Sequence, residues 1–92
     1  MLNREDILPE RVKEFAELRC EVMEQLANDG TWSVSKLTNL SALSDGRTKR
    51  VLQAARMRER SHETAWELLQ ILALDEREVR ATLGNIFKNG FV

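Results

Sequence analysis

The sequence predicts a small all-α domain of five helices. Leu, Glu, Arg and Ala are abundant, whereas aromatic residues, which favour strands, make up only 5% of the 92 residues. Apolar residues recur at steps of three and four, and period-two alternation is nowhere sustained. Because a chain of this length encloses one small core, residues 1–92 are expected to form a single domain.

A long first helix is predicted over residues 10–28. Pro9 suits the start of a helix because it has no amide hydrogen to lose there, and the run Asn28-Asp29-Gly30 is typical of a helix end. The apolar residues of the segment form a stripe that we expect to face the core. They are Val12, Phe15, Ala16, Val22, Met23, Leu26 and Ala27.

A pair of helices is predicted over residues 33–58. Ser33 is a suitable N-cap for a short helix that ends near Leu40. Ser44 is a suitable cap for a longer helix, and no helix-breaking residue follows before Ser61. The spacing therefore predicts a short helix, a tight turn and a longer helix.

A second pair is predicted over residues 62–90. Either Ser61 or Thr64 can begin its first helix. Asp75 and Glu78 have the spacing of a capping box, in which each side chain accepts a hydrogen bond from the backbone amide of the other residue. The last helix is therefore expected to begin near Asp75.

The two pairs form an internal repeat. Displacing the chain by 31 residues places residues 34–56 over residues 65–87, and the apolar positions then coincide. Two similar helical hairpins would also produce this coincidence.

Both pairs resemble the helix-turn-helix superfamily, including its winged-helix members. The pattern has a leucine, apolar residues three and six positions later, a Ser or Asp cap, and apolar residues on the second helix. The first pair supplies Leu37, Leu40, Leu43, Ser44, Thr48 and Val51, and the second supplies Leu68, Ile71, Leu74, Asp75, Val79 and Leu83. The resemblance covers residues 31–92 without a wing, and it implies two tandem units in which the second helix can enter the major groove of DNA.

Charge singles out the first unit. The net charge is −1, yet residues 47–60 hold six basic residues and one acidic residue. The candidate DNA-binding residues on the longer helix are Lys49, Arg50, Gln53, Arg56 and Arg60. Lys and Arg can neutralise phosphates, and Gln53 could contact an adenine edge. A solvated helix face with many arginines is the alternative.

The second unit has the opposite charge at the corresponding place. Asp75, Glu76 and Glu78 at the start of its longer helix would repel a phosphate backbone. This unit is therefore expected to complete the core or to bind another protein. Trp66, Phe87 and Phe91 are candidate partner anchors if they are exposed.

The leading hypothesis is a small DNA-binding transcriptional regulator that docks a basic helix on duplex DNA. A homodimer is expected, because one such helix binds weakly and a two-fold site would add affinity. The alternative is a non-enzymatic protein-protein adaptor or assembly subunit that uses the same helical hairpins.

Other classes of function lack the necessary residues. No Gly-rich phosphate loop is present, and His62 has no nucleophile at a recognisable spacing, so neither an enzyme nor a cofactor is expected. One cysteine and one histidine do not supply a metal site. The charged N-terminus is unlike a signal peptide and no apolar run is long enough to span a membrane, so a cytoplasmic location is expected.

Overall fold

The computed structural model describes residues 1–88 and confirms the all-α fold, with five helices and no strand in that range. The helices are α1 (Val12–Asp29), α2 (Val34–Ala42), α3 (Gly46–Arg56), α4 (His62–Leu72) and α5 (Glu76–Lys88). Two short 3-10 turns, Arg4–Asp6 and Pro9–Arg11, precede α1. An isolated antiparallel bridge joins Ile7 to Ser44.

The first helix confirms most of the predicted stripe. Gly30 ends α1 with a left-handed backbone (φ 64°), which glycine adopts readily, and its amide donates to the carbonyl of Leu26 at 3.0 Å. Two residues of the predicted stripe are exposed: Val12, which is the first residue of α1, and Ala16, which lies at the edge of the stripe. Arg19, which it did not include, is buried.

Two of the predicted caps are present. The hydroxyl of Ser33 accepts from the amide of Lys36 at 3.4 Å and begins α2. Of the two alternatives for α4, Ser61 is the cap, and its hydroxyl accepts from the amide of Thr64 at 3.2 Å.

The predicted cap of α3 is wrong by one residue. Asp45 is the N-cap, and its carboxylate accepts from the amide of Gly46 at 2.9 Å. Ser44 is buried, and its hydroxyl donates instead to the carbonyl groups of Leu40 and Ser41 at the end of α2. The Ser44 side chain thus donates to carbonyl groups at the end of α2 and does not accept from an amide of α3.

One of the two hydrogen bonds of the predicted capping box of α5 is present. The carboxylate of Asp75 accepts from the amide of Glu78 at 2.9 Å, as predicted. Glu78 accepts from the amide of Leu74 at 2.8 Å rather than from that of Asp75. The predicted end of this helix at Asn89 and Gly90 lies outside the described residues.

One cluster of buried residues receives side chains from all five helices. Trp32, in the loop before α2, is among its largest members and is almost fully buried. Burial of such large apolar side chains is the main source of stability in a domain of this size.

The two helical pairs pack differently. α2 lies against much of α3, whereas α5 packs mainly on α1 and contacts α4 little. Arg19 of α1 contributes to the contact between α1 and α5, because its guanidinium donates to both carboxylate oxygens of Glu78 at 2.7 and 3.2 Å. It also donates to the carbonyl of Leu72 at 2.9 Å.

Candidate nucleic-acid interface

The candidate site is the solvent-facing side of α3. Thr48, Leu52 and Ala55 recur on one side of the helix and are buried. The opposite side exposes Arg50 and Gln53, two of the predicted DNA-binding residues. The periodicity of the buried residues therefore directs these polar side chains outward.

The other predicted residues on α3 are less accessible. Lys49 is half-buried. Arg56 is also half-buried, and its guanidinium turns toward α2, where Nη1 lies 3.5 Å from the hydroxyl of Thr38. Arg47, which was not among the predicted DNA-binding residues, is also exposed on α3.

Arg60 lies beyond the end of α3 rather than on it. α3 ends at Arg56, because the amide of Met57 bonds to the carbonyl of Ala54 in a tighter final turn. Arg60 lies in the connector that follows, where Nη2 donates to the carbonyl of Trp32 at 2.9 Å. Its guanidinium lies 5.5 Å from the centre of the Trp32 ring, within the range of a cation–π contact.

The start of α3 is closed by carboxylates. Besides the Asp45 cap, Asp6 of the first 3-10 turn accepts from Thr48 twice, from its amide at 3.2 Å and from its hydroxyl at 3.0 Å. Gly46 makes this approach possible, since a Cβ on its backbone (φ 59°) would lie only 2.6 Å from Oδ1 of Asp6. The contact of Asp6 with α3 was not predicted. Asp6 lies 42 residues before Thr48, so no local sequence pattern indicates that the two residues meet.

The two helices α1 and α3 carry net charges of opposite sign. α3 carries four basic and no acidic side chains. α1 carries five acidic side chains, all exposed, against two basic ones. In the described part of the chain α1 and α3 do not pack on each other, while α2 and α4 each contact both. The two helices therefore create surface fields of opposite sign.

Arg11, just before α1, offsets part of the negative charge of that helix. It donates to Glu14 at 2.7 Å, and this hydrogen bond raises the pKa of Arg11 above its usual value. The arginine is therefore held at α1 and is not part of the basic side of α3.

The candidate partner anchors lie elsewhere. Trp66 on α4 and Phe87 on α5 are 45% and 72% exposed, and both line one apolar cleft between these helices. Phe91, the third candidate, lies outside the described residues.

Residues 1–88 contain neither a cluster of metal ligands nor a membrane-spanning helix. No group of three or more His, Cys, Asp or Glu side chains is placed to hold a metal ion. No helix there has both the length and the hydropathy needed to cross a bilayer.

Comparison of the chain with protein-family models, with curated proteins and with solved structures found no match. The resemblance to helix-turn-helix proteins therefore rests on the residues of this chain alone.

Proposed function

We propose that this protein binds duplex DNA and that α2, the turn and α3 act as its helix-turn-helix unit. The observation that carries the proposal is the surface of α3, which combines four basic side chains with no acidic one and is set apart from the acidic α1. Packing of α3 in the core requires only its apolar side. The charge on the other side is free to serve an anionic ligand.

The closed start of α3 limits how the helix can approach DNA. Asp6 and Asp45 place two carboxylates where a phosphate would otherwise meet the helix N-terminus. The middle of the helix is therefore the part that enters the groove, with Arg50 and Gln53 toward the base edges. Lys49 and Arg56 lie beside them, within reach of phosphates.

The test is fluorescence anisotropy of a labelled random-sequence duplex, titrated with protein between about 50 and 200 mM salt. The two phosphate contacts of Lys49 and Arg56 give a slope of log affinity against log salt of about −2 per protomer, and a dimer doubles it, since each contact releases about 0.9 counterion. The double variant Lys49→Glu, Arg50→Glu is expected to lose binding. We choose Lys49 and Arg50 because the guanidinium of Arg56 lies against Thr38 of α2, so that replacement of Arg56 would disturb the packing of the two helices.

The matched control is Arg77→Glu, Arg80→Glu on α5, which makes the same change in net charge on two exposed residues. It is expected to retain most of the affinity. If both double variants lose binding equally, net charge rather than α3 determines the affinity, and the proposed site is wrong. If the wild-type protein does not bind at the lowest salt concentration, the proposed function is wrong.

Asp45→Asn tests the orientation of α3. Asparagine is an equally good N-cap, so the helix keeps its start while one negative charge is removed. A few-fold gain in affinity is expected at low salt if DNA lies along α3. An unchanged affinity would place the duplex away from this end of the helix.

A further inference from the structure

Trp66 lies at the meeting point of three clefts. The first, between α4 and α5, is almost entirely apolar and is lined by Ala65, Trp66, Leu69, Leu83, Ile86 and Phe87, with His62 also on its wall. The second lies between α3 and α4 and includes Arg47 and Val51. The third, also between α4 and α5, includes Gln70 and Arg80.

We call the surface formed by Trp66, Leu83, Phe87, Arg47 and Arg80 the Trp66 surface. Trp66 and Phe87 are the most exposed aromatic side chains of the described chain. Exposed tryptophan beside arginine is a composition enriched at the energetic centres of protein interfaces. An apolar cleft between two helices has the form that receives one face of an amphipathic helix.

The charges around Trp66 favour an acidic partner. Within residues 1–88 neither Arg47 nor Arg80 has an ion-pair partner, and they lie on opposite sides of Trp66. Glu67 is already paired with Arg58. Glu76 shares the third cleft with Arg80 and offsets one charge, which leaves the surface positive overall.

We propose that the Trp66 surface is a docking site for an acidic amphipathic helix of a partner protein. Apolar residues of the partner fill the cleft between α4 and α5, and its flanking carboxylates meet Arg47 and Arg80. Such charge complementarity selects the partner and its orientation more than it adds affinity. Arg47 belongs both to this surface and to the basic side of α3, whereas Arg50 and Gln53 line none of the three clefts, and the proposal does not depend on DNA binding.

The first experiment uses a designed helical peptide with leucines at positions i, i+3, i+4 and i+7 and glutamates on its flanks. A second peptide has lysine at each glutamate position. Heteronuclear NMR of the labelled protein follows both tryptophan indole N–H signals during the titration. The Trp66 signal is expected to shift with the acidic peptide while that of Trp32, which is buried in the core, stays in place.

Variants then locate the contact. Phe87→Ala and Trp66→Ala remove exposed side chains and are each expected to weaken the acidic peptide at least about tenfold, or about 1.4 kcal/mol. Arg80→Glu is expected to weaken the acidic peptide and to strengthen the lysine peptide. Met57→Ala is the control, because Met57 is 81% exposed at the end of α3 and lines none of these clefts.

Equal binding of both peptides, or an acidic peptide that leaves the Trp66 indole unshifted, overturns the proposal. Sedimentation equilibrium provides a further test. A dimer that Phe87→Ala converts to a monomer would show that a second copy of the chain covers this surface, and it would overturn the proposal. Lys49→Glu, Arg50→Glu is expected to retain peptide binding, so failure of the DNA proposal and failure of this one give different results.

Discussion

The α2–α3 pair and the α4–α5 pair have the same order of a shorter helix, a tight turn and a longer helix, yet they end in different arrangements. α3 packs on α2 and presents a basic surface. α5 instead lies on α1 and leaves a cleft against α4 in which Trp66 and Phe87 are exposed. A shared apolar frame therefore specifies where helices begin and turn, and leaves open which helix each one packs on.

A buried charge accounts for the different position of α5. The side chain of Arg19 is only 9% exposed, and it is satisfied by Glu78 and by the carbonyl of Leu72. A buried guanidinium without a partner is strongly unfavourable, so the start of α5 is held at α1. The corresponding position of α3 is Arg47, a displacement of 31 residues from Glu78, and an arginine there cannot pair with Arg19.

Loss of the Arg19–Glu78 ion pair is expected to lower the free energy of unfolding more than any other change proposed below. Glu78→Ala leaves Arg19 buried without its carboxylate and also removes the acceptor for the amide of Leu74, at a cost of about 3 kcal/mol in the free energy of unfolding. Urea denaturation measures it. Glu76→Ala, at an exposed position of the same turn, is expected to change stability by less than about 0.5 kcal/mol.

Hydrogen exchange shows whether the loss of Glu78 affects one helical pair or both. In Glu78→Ala the amides of α5 are expected to lose protection while those of α2 and α3 retain theirs, because local openings follow the contacts that are lost. Equal loss of protection in both pairs would contradict the view that Arg19 acts on α5 in particular.

The next effect concerns the start of α3. Asp6→Ala removes the acceptor for both hydrogen bonds from Thr48, and a loss of about 1–2 kcal/mol is expected. Asp6→Asn retains one acceptor oxygen and is expected to lose about half as much. If Asp6→Ala unfolds at the same urea concentration as the wild type, this long-range cap contributes nothing to stability.

The corresponding cap of α5 is local and is expected to contribute less. Asp75→Ala loses the hydrogen bond from the amide of Glu78, at a cost of about 1 kcal/mol. Asp75→Asn keeps an equivalent cap and is expected to be close to the wild type in thermal denaturation. A loss in Asp75→Ala as large as that in Glu78→Ala would show that the cap, and not the ion pair, holds α5.

The smallest effect tests the position of Arg60. Arg60→Ala removes the cation–π contact between an exposed guanidinium and Trp32, which contributes about 0.5–1 kcal/mol, and a change in Trp32 fluorescence is expected. Affinity for DNA is expected to stay nearly unchanged in comparison with Arg50→Ala. A loss of affinity equal to that of Arg50→Ala would return Arg60 to the binding surface.

Local features of the sequence predicted much of this structure. The helical periodicity and the caps at Ser33, Ser61 and Asp75 could be predicted because each depends on residues within one helical turn. The end of α3 could not, since neither glycine nor proline marks it. Arg60 was consequently assigned to a helix that stops at Arg56.

The all-α class, the number of helices and the concentration of basic residues in one helix could all be predicted from the residues. Four features depend on tertiary packing: α5 lies on α1, Asp6 accepts hydrogen bonds from Thr48 at the start of α3, Arg60 contacts Trp32, and Trp66 and Phe87 share a cleft. The physical reason is distance along the chain: Arg19 meets its partners 53 and 59 residues away, and Asp6 meets Thr48 42 residues away. Such contacts depend on how whole helices pack, which periodicity and capping do not specify.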